Sequence, residues 1–201
     1  MRTMKSYSGG ALTMFLACVM SSVFALDASQ VPPSKQTKPG LYLDAKEAHA
    51  IKQQLGDKVL LIDIRTRGEI SYTGMATTVD AHVPLFEHPA NAPWDDKEGR
   101  FKMEFNHDFE SEVARRMAAK GLGKSDTLIV MCRSGDRSTK AVNLLSEGGY
   151  AKVYTVVDGF EGDSAKDGPN AGKRVVNGWK NAGLPWSYQL DKAKMYLPPS
   201  N

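Results

Sequence analysis

The chain has 201 residues, 41% hydrophobic and 24% charged, which suits one packed domain and excludes wholesale disorder. Its net charge is +3, and setting aside Arg2 and Lys5 leaves 3 − 2 = +1. That balance offers no footprint for nucleic acid or a membrane surface.

Residues 1–25 read as an export signal. Arg2 and Lys5 form a charged start, an apolar stretch follows, and "VFA" puts small-enough residues before Leu26. The stretch is short of the roughly 20 residues a spanning helix needs, so no stable membrane insertion is expected after cleavage. A periplasmic location follows if the source is Gram-negative, with a retained anchor as the alternative. Cleavage would leave one cysteine, Cys132, with no partner in its own chain. Such a thiol is either buried and inert or reactive.

Residues 26–40, with three prolines, read as a tether. Asp44 followed by Glu47 is a capping-box pattern that starts a helix ending near Gly56. The apolar run 58–65 predicts a buried strand. Residues 71–107 read as irregular, apart from a small hairpin or edge strand around Gly99, where Phe101, Met103 and Phe105 alternate. Phe109, Val113 and Met117 recur every four residues and predict a helix over 108–120. "TLIVM", 127–131, is a second strand. A helix is expected from Arg137 to Glu147, stopping at Gly148-Gly149, and a third strand over 152–157. A last helix would carry Trp179 and end at "AGLP". Strands alternating with helices predict an α/β domain, with a mainly parallel central sheet and helices on both faces.

Cys132 therefore sits where a strand ends and a helix is about to begin, the sheet edge at which ligands bind. Backbone N–H groups of the loop and the helix start make an anion site, which favours a thiolate over a thiol. Arg133 and Arg137 add positive charge, and Gly135 permits a tight turn. Phosphotyrosine-type phosphatases need five residues between cysteine and arginine. That count reaches Ser138, whereas Arg137 gives four. The smaller loop suits the outer sulfur of a persulfide on the cysteine itself.

"CRSGDRS" resembles the active-site loop of rhodanese-family sulfurtransferases. "LLIDIRTRGEI", with Asp63, Ile64, Arg65 and Glu69, is similar to that family's Asp-Val-Arg strand and following glutamate. "HVP", "DGFEG" and "GWKNAGLP" resemble later family segments in the right order. The resemblance implies a rhodanese-like domain over 41–190, with insertions near 86–108 and 163–176. It implies that Cys132 takes sulfane sulfur from an anionic donor such as thiosulfate, becomes a persulfide, and passes the sulfur to a thiol, including a protein thiol, or to cyanide. Arg133, Ser134, Gly135, Asp136, Arg137 and Ser138 would form the substrate-binding and persulfide loop, with Arg133 and Arg137 attracting the donor. Asp63 and Arg65 would support it, or form a buried ion pair that is structural only. The segment "SYTGMA" departs from the family pattern and keeps only Gly74.

His49, His82, His88 and His107 show no close metal-ligand spacing, so no metal or other cofactor is expected. Trp94, Trp179 and Trp186 read as core or lid residues. A sulfur-carrier or partner-docking module with little small-molecule turnover is the runner-up. A phosphatase or arsenate reductase on the same fold comes third.

Overall fold

Three five-residue strands carry the domain: β2 (Val59–Asp63), β9 (Thr127–Met131) and β10 (Lys152–Val156). The shorter β1 (Tyr42–Leu43) and β4 (Ala81–His82) complete a sheet of order β1-β10-β9-β2-β4, with every neighbour parallel. This is a computed structural model and describes residues 26–197. The expected export signal lies outside the described residues, so its cleavage site does too. Among the described residues no helix is long and apolar enough to cross a membrane.

Parallel strands need crossovers, and helices supply them. They are α1 (Ala45–Leu55), α2 (Arg67–Thr73), α3 (Phe109–Ala119) and α4 (Asp136–Glu147). Alternation along β2 splits the core in two. Leu60 and Ile62 face Phe109, Val113, Met117, Val142 and Leu145 of α3 and α4. Val59 and Leu61 face Ala48 of α1, Ile70 of α2, Phe160 and Trp179. The expected sheet with helices on both faces is present, and Asp44 caps α1 with Glu47 in the reciprocal arrangement.

Three expectations fail. Residues 71–73 are not irregular but end α2. "RGEISYT" is a mediocre helix former, with a glycine and two β-branched residues. A second capping box, Thr66 with Glu69, and the burial of Ile70 organise it.

No helix forms around Trp179. Gly172, Gly178 and Gly183 take φ of 81°, 95° and 69°, and turns run through the segment. Trp179 is nevertheless fully buried and donates its indole N–H to the Pro185 carbonyl at 3.0 Å. Past those turns a short β11 (Trp186–Ser187) pairs antiparallel with β3 (Met75–Ala76).

Residues 26–40 are not a tether. Val31 and Lys35 are buried, and Lys35 donates to the Val157 carbonyl at 3.0 Å and to Asp163 at 2.7 Å. Thr139 of α4 donates to the Lys35 carbonyl. An apolar residue and a lysine with two acceptors hold down a segment whose composition reads as solvated linker.

Residues 86–108, expected as an insertion, fold into nested antiparallel pairs. Outer strands β5 (Phe86–Glu87) and β8 (Glu104–Phe105) enclose inner strands β6 (Trp94–Asp95) and β7 (Arg100–Phe101). Trp94 and Phe101 stack edge to face at 5.2 Å.

Candidate active site

β9 delivers Cys132 to the carboxyl edge of the sheet, and α4 begins four residues later, with Gly135 as its N-cap. The loop between them turns on Gly135, whose φ is 99°. A Cβ there would lie 2.2 Å from the Val157 carbonyl oxygen, so only glycine fits. That turn sends the Gly135 N–H onto Cys132 Sγ at 3.1 Å. Ser138 Oγ lies 3.6 Å from the same sulfur and is tied to Thr155 Oγ1 and the Gly135 carbonyl. The sequence led us to expect a ring of loop amides around the sulfur. One amide is in place.

The loop's carbonyls point the other way and are held from behind. Phe160 N–H donates to the Cys132 carbonyl at 2.8 Å, and Glu161 N–H to the Arg133 carbonyl at 2.9 Å. This close approach needs Gly159, where a Cβ would sit 2.6 Å from both carbonyl oxygens. With these two carbonyls engaged behind, the Gly135 N–H is the loop amide that meets the sulfur.

Asp63 and Arg65 are fully buried beneath the loop. Arg65 donates to both Asp63 oxygens, to Thr73 Oγ1 at 2.7 Å and to the Gly74 carbonyl at 2.8 Å. Its guanidinium stacks 4.0 Å from the Phe160 ring centroid. Every arm of this cation is occupied, so it braces β2, α2 and the 158–162 turn; the structural alternative describes this pair. His82 lies opposite Asp63 in the β4–β2 register. Burial holds its imidazole below the ordinary range against the pull of Asp63, and Nε2 bonds the Arg65 carbonyl at 2.7 Å. Sequence reading gave His82 no structural role; its place on β4 shows it as part of the brace.

The two loop arginines differ. Arg137 makes a bidentate pair with Glu69 of α2, at 2.7 and 2.5 Å. Burial pushes the Glu69 carboxyl up. The hydrogen bonds and charge of Arg137, with help from Thr66 N–H and Arg65, outweigh it and hold the carboxyl at about 2. Arg137 is thus neutralised, which corrects its expected role as a free lure for anions. Arg133 makes no ion pair among the described residues, and its Nε is buried without a partner. Burial, together with the Arg174 charge, lowers its pKa.

A cavity of about 720 Å³ opens over the loop, lined by Cys132, Arg133, Ser134, Asp136, Arg137 and Lys140 below. Asp95, Glu98, Arg100, Lys102 and Met103 of the nested hairpin, with Phe86, make its roof and wall. Cys132 is only 1% exposed, because its sulfur is the floor of this cleft. Sequence reading did not single out Arg100, Lys102 or Lys140. Only the spacing of Lys140 four residues after Asp136, one face of a helix, hinted at it.

The rhodanese-like domain model matches residues 45–166. An uncharacterized protein of Rickettsia rickettsii is 28% identical over 132 residues, covering 66% of this chain and 85% of that protein. A second, from Rickettsia prowazekii, is 27% identical over 135 residues, 67% of this chain and 87% of that protein. The crystal structure of Rv0390 from M. tuberculosis superposes with a TM-score of 0.56 at 25% identity, covering 74% of this chain and 97% of that one.

Proposed function

This chain belongs to the rhodanese-like domain family, and from that premise we propose that it is a sulfurtransferase working through Cys132. The observation that carries the reading is the sulfur itself. It lies at the floor of a cationic cleft, takes the Gly135 N–H at 3.1 Å, and has Arg133 beside it without an ion-pair partner. A thiolate so placed attacks the outer sulfur of a donor such as thiosulfate. The new bond joins Cys132 Sγ to that sulfur, and the donor's S–S bond breaks, so sulfite leaves with the electron pair. A thiol or cyanide then takes the outer sulfur and restores the thiolate, which is covalent, ping-pong catalysis. The Gly135 N–H and the unpaired Arg133 charge stabilise the persulfide anion as an oxyanion hole stabilises oxygen.

Mass spectrometry after incubation with thiosulfate tests this. Cys132 should gain one sulfur atom and lose it on adding cyanide, and Cys132→Ser should neither load sulfur nor turn over. Loading elsewhere, or Cys132-dependent hydrolysis of an aryl phosphate faster than sulfur transfer, would sink the proposal. We also propose an exported, periplasmic protein. N-terminal sequencing of the native material should begin at or near Leu26, and an intact Met1 would overturn it.

A further inference from the structure

The loop amide that meets the sulfur belongs to Gly135, and a glycine has no side chain with which to hold itself in place. Its position is set by what packs against its Cα. A Cβ built there would lie 2.2 Å from the Val157 carbonyl oxygen and 3.0 Å from Cδ of Lys35. Val157 follows β10, and Lys35 comes from the segment before β1. The two walls form one unit, because the Lys35 ammonium donates to that Val157 carbonyl at 3.0 Å.

Lys35 is itself firmly held. It is only 6% exposed, and its ammonium also meets Asp163 at 2.7 Å. Asn177 fixes Asp163 in turn, accepting its backbone N–H at 2.7 Å and donating to its Oδ2 at 3.1 Å. The Lys35 N–H donates to the Pro32 carbonyl at 2.8 Å. The Lys35 carbonyl accepts from Thr139 Oγ1, which lies 3.1 Å from the Gly135 carbonyl as well. Main chain and side chain of Lys35 therefore both reach Gly135. A buried ammonium is costly unless it is paired, and attaching a strap to a domain does not require one. An apolar residue such as Val31, 3% exposed, serves attachment alone.

Building on the sulfurtransferase reading, we infer that Lys35 is a positioning residue of the reaction centre. Its stem and ammonium fix the contact between Val157 and Gly135, and that contact keeps the Gly135 N–H on Cys132 Sγ. The thiolate and the persulfide both draw on this donor, so the segment before β1 sets part of the reactivity of Cys132.

Three readouts on the full protein test this with Lys35→Met, and with Val31→Ala as comparator. Truncating Val31 loosens the same segment while leaving Lys35 and its partners in place. In Lys35→Met the Gly135 amide should exchange faster than in the wild type. The pH profile of Cys132 alkylation by iodoacetamide should move up by about 0.4 to 1 unit, the worth of one net hydrogen bond. Loading of Cys132 from thiosulfate should slow roughly two- to tenfold. Val31→Ala should match the wild type in all three, whatever stability it loses. Where Lys35→Met is too unstable to assay, Lys35→Gln, which keeps the stem as far as Cδ, is read by the same criteria. A lysine variant whose Gly135 exchange and alkylation profile equal those of Val31→Ala overturns the inference and leaves Lys35 a structural clamp. Failure of the wild type to load sulfur removes the sulfurtransferase reading instead, and the exchange and alkylation results still decide whether Lys35 positions the amide on the thiol.

Discussion

Arg133 and Arg137 bear the same charge on the same loop, yet one is unpaired and the other is locked to Glu69. Replacing Arg133 with Gln keeps the loop amides and removes the free charge beside the sulfur. Capture of an anionic donor should slow roughly ten- to hundredfold, as loss of a charge-assisted contact of about 1.5–3 kcal/mol implies. Added salt should slow the wild type more than the variant. Stopped-flow loading at two ionic strengths checks both, and a wild-type rate in Arg133→Gln would assign recruitment elsewhere. Arg137→Ala has a different expected effect. It strands Glu69, a largely buried carboxylate, at a cost of about 3 kcal/mol. Denaturant unfolding should show that loss, and Glu69→Gln added to Arg137→Ala should recover part of it. Equal stability in the single and double variants would show that the pair is not coupled.

At the scale of elements, the segment 26–40 is the least expected part of the architecture. It lies before the span matched by the family model, yet it reaches the back of the cysteine loop. Lys35 ties it to the Val157 carbonyl, the same oxygen that forbids a Cβ at Gly135. Lys38 continues the attachment through Asn143 and Glu147 of α4. Lys35→Met keeps the aliphatic length but leaves a buried carbonyl without this donor, at a cost of about 1–3 kcal/mol. Amide exchange should then rise over 31–37 and over the turn at 157–163 together. Exchange confined to 31–37 would mean the strap rides on the domain without bracing it. Composition hid this role, because three prolines and several polar residues read as solvated linker whatever they touch. The same limit applies to α2. Its propensity is poor, and only the reciprocal pair Thr66 and Glu69 announces it. Trp179 is the converse, since a helix was expected around it where glycines at positive φ make turns.

For the molecule as a whole, two carboxyls oppose each other in the pH dependence of stability. Burial raises Asp158 to about 6 from 3.8, with the Gly178 N–H pulling it down and Asp44 pushing it up. One of its oxygens is buried without a partner. The folded protein therefore binds a proton that the unfolded chain releases between about pH 4 and 6. This contribution is complete below 3.8 and is lost as pH rises through about 6. Glu69 acts in the other direction. Its carboxyl is held at about 2 against 4.5, so its contribution is complete above 4.5 and fades as pH falls toward 2. Asp158 should add a climb of up to about 1.4 kcal/mol per pH unit on acidification from about pH 6.5 to 4.5, opposed in the same window by His82, whose lowered pKa costs stability as the unfolded imidazole protonates, and the Glu69 contribution should be lost below that. Asp158→Asn should flatten the climb and leave the acid-side fall in place. A climb of equal slope in the variant would locate the titrating group elsewhere.

Local pattern was enough for the three long strands of the sheet, the helices α1, α3 and α4, the position of Cys132 at the sheet's carboxyl edge, and the family. Apolar runs, capping pairs and an arginine-flanked cysteine loop are short-range signals, and each was readable where it stood. The division of labour between the arginines was not readable. Arg137 loses its free charge to Glu69, 68 positions away, and Arg133 keeps its own because no carboxylate reaches it. Asp63 and Arg65 could be catalytic or structural until all three guanidinium nitrogens were seen to be hydrogen-bonded within the brace. The depth of the cleft likewise depends on a hairpin folding back over the loop. Charge pairing, burial and cavity volume depend on which distant residues meet, and only the tertiary structure decides that.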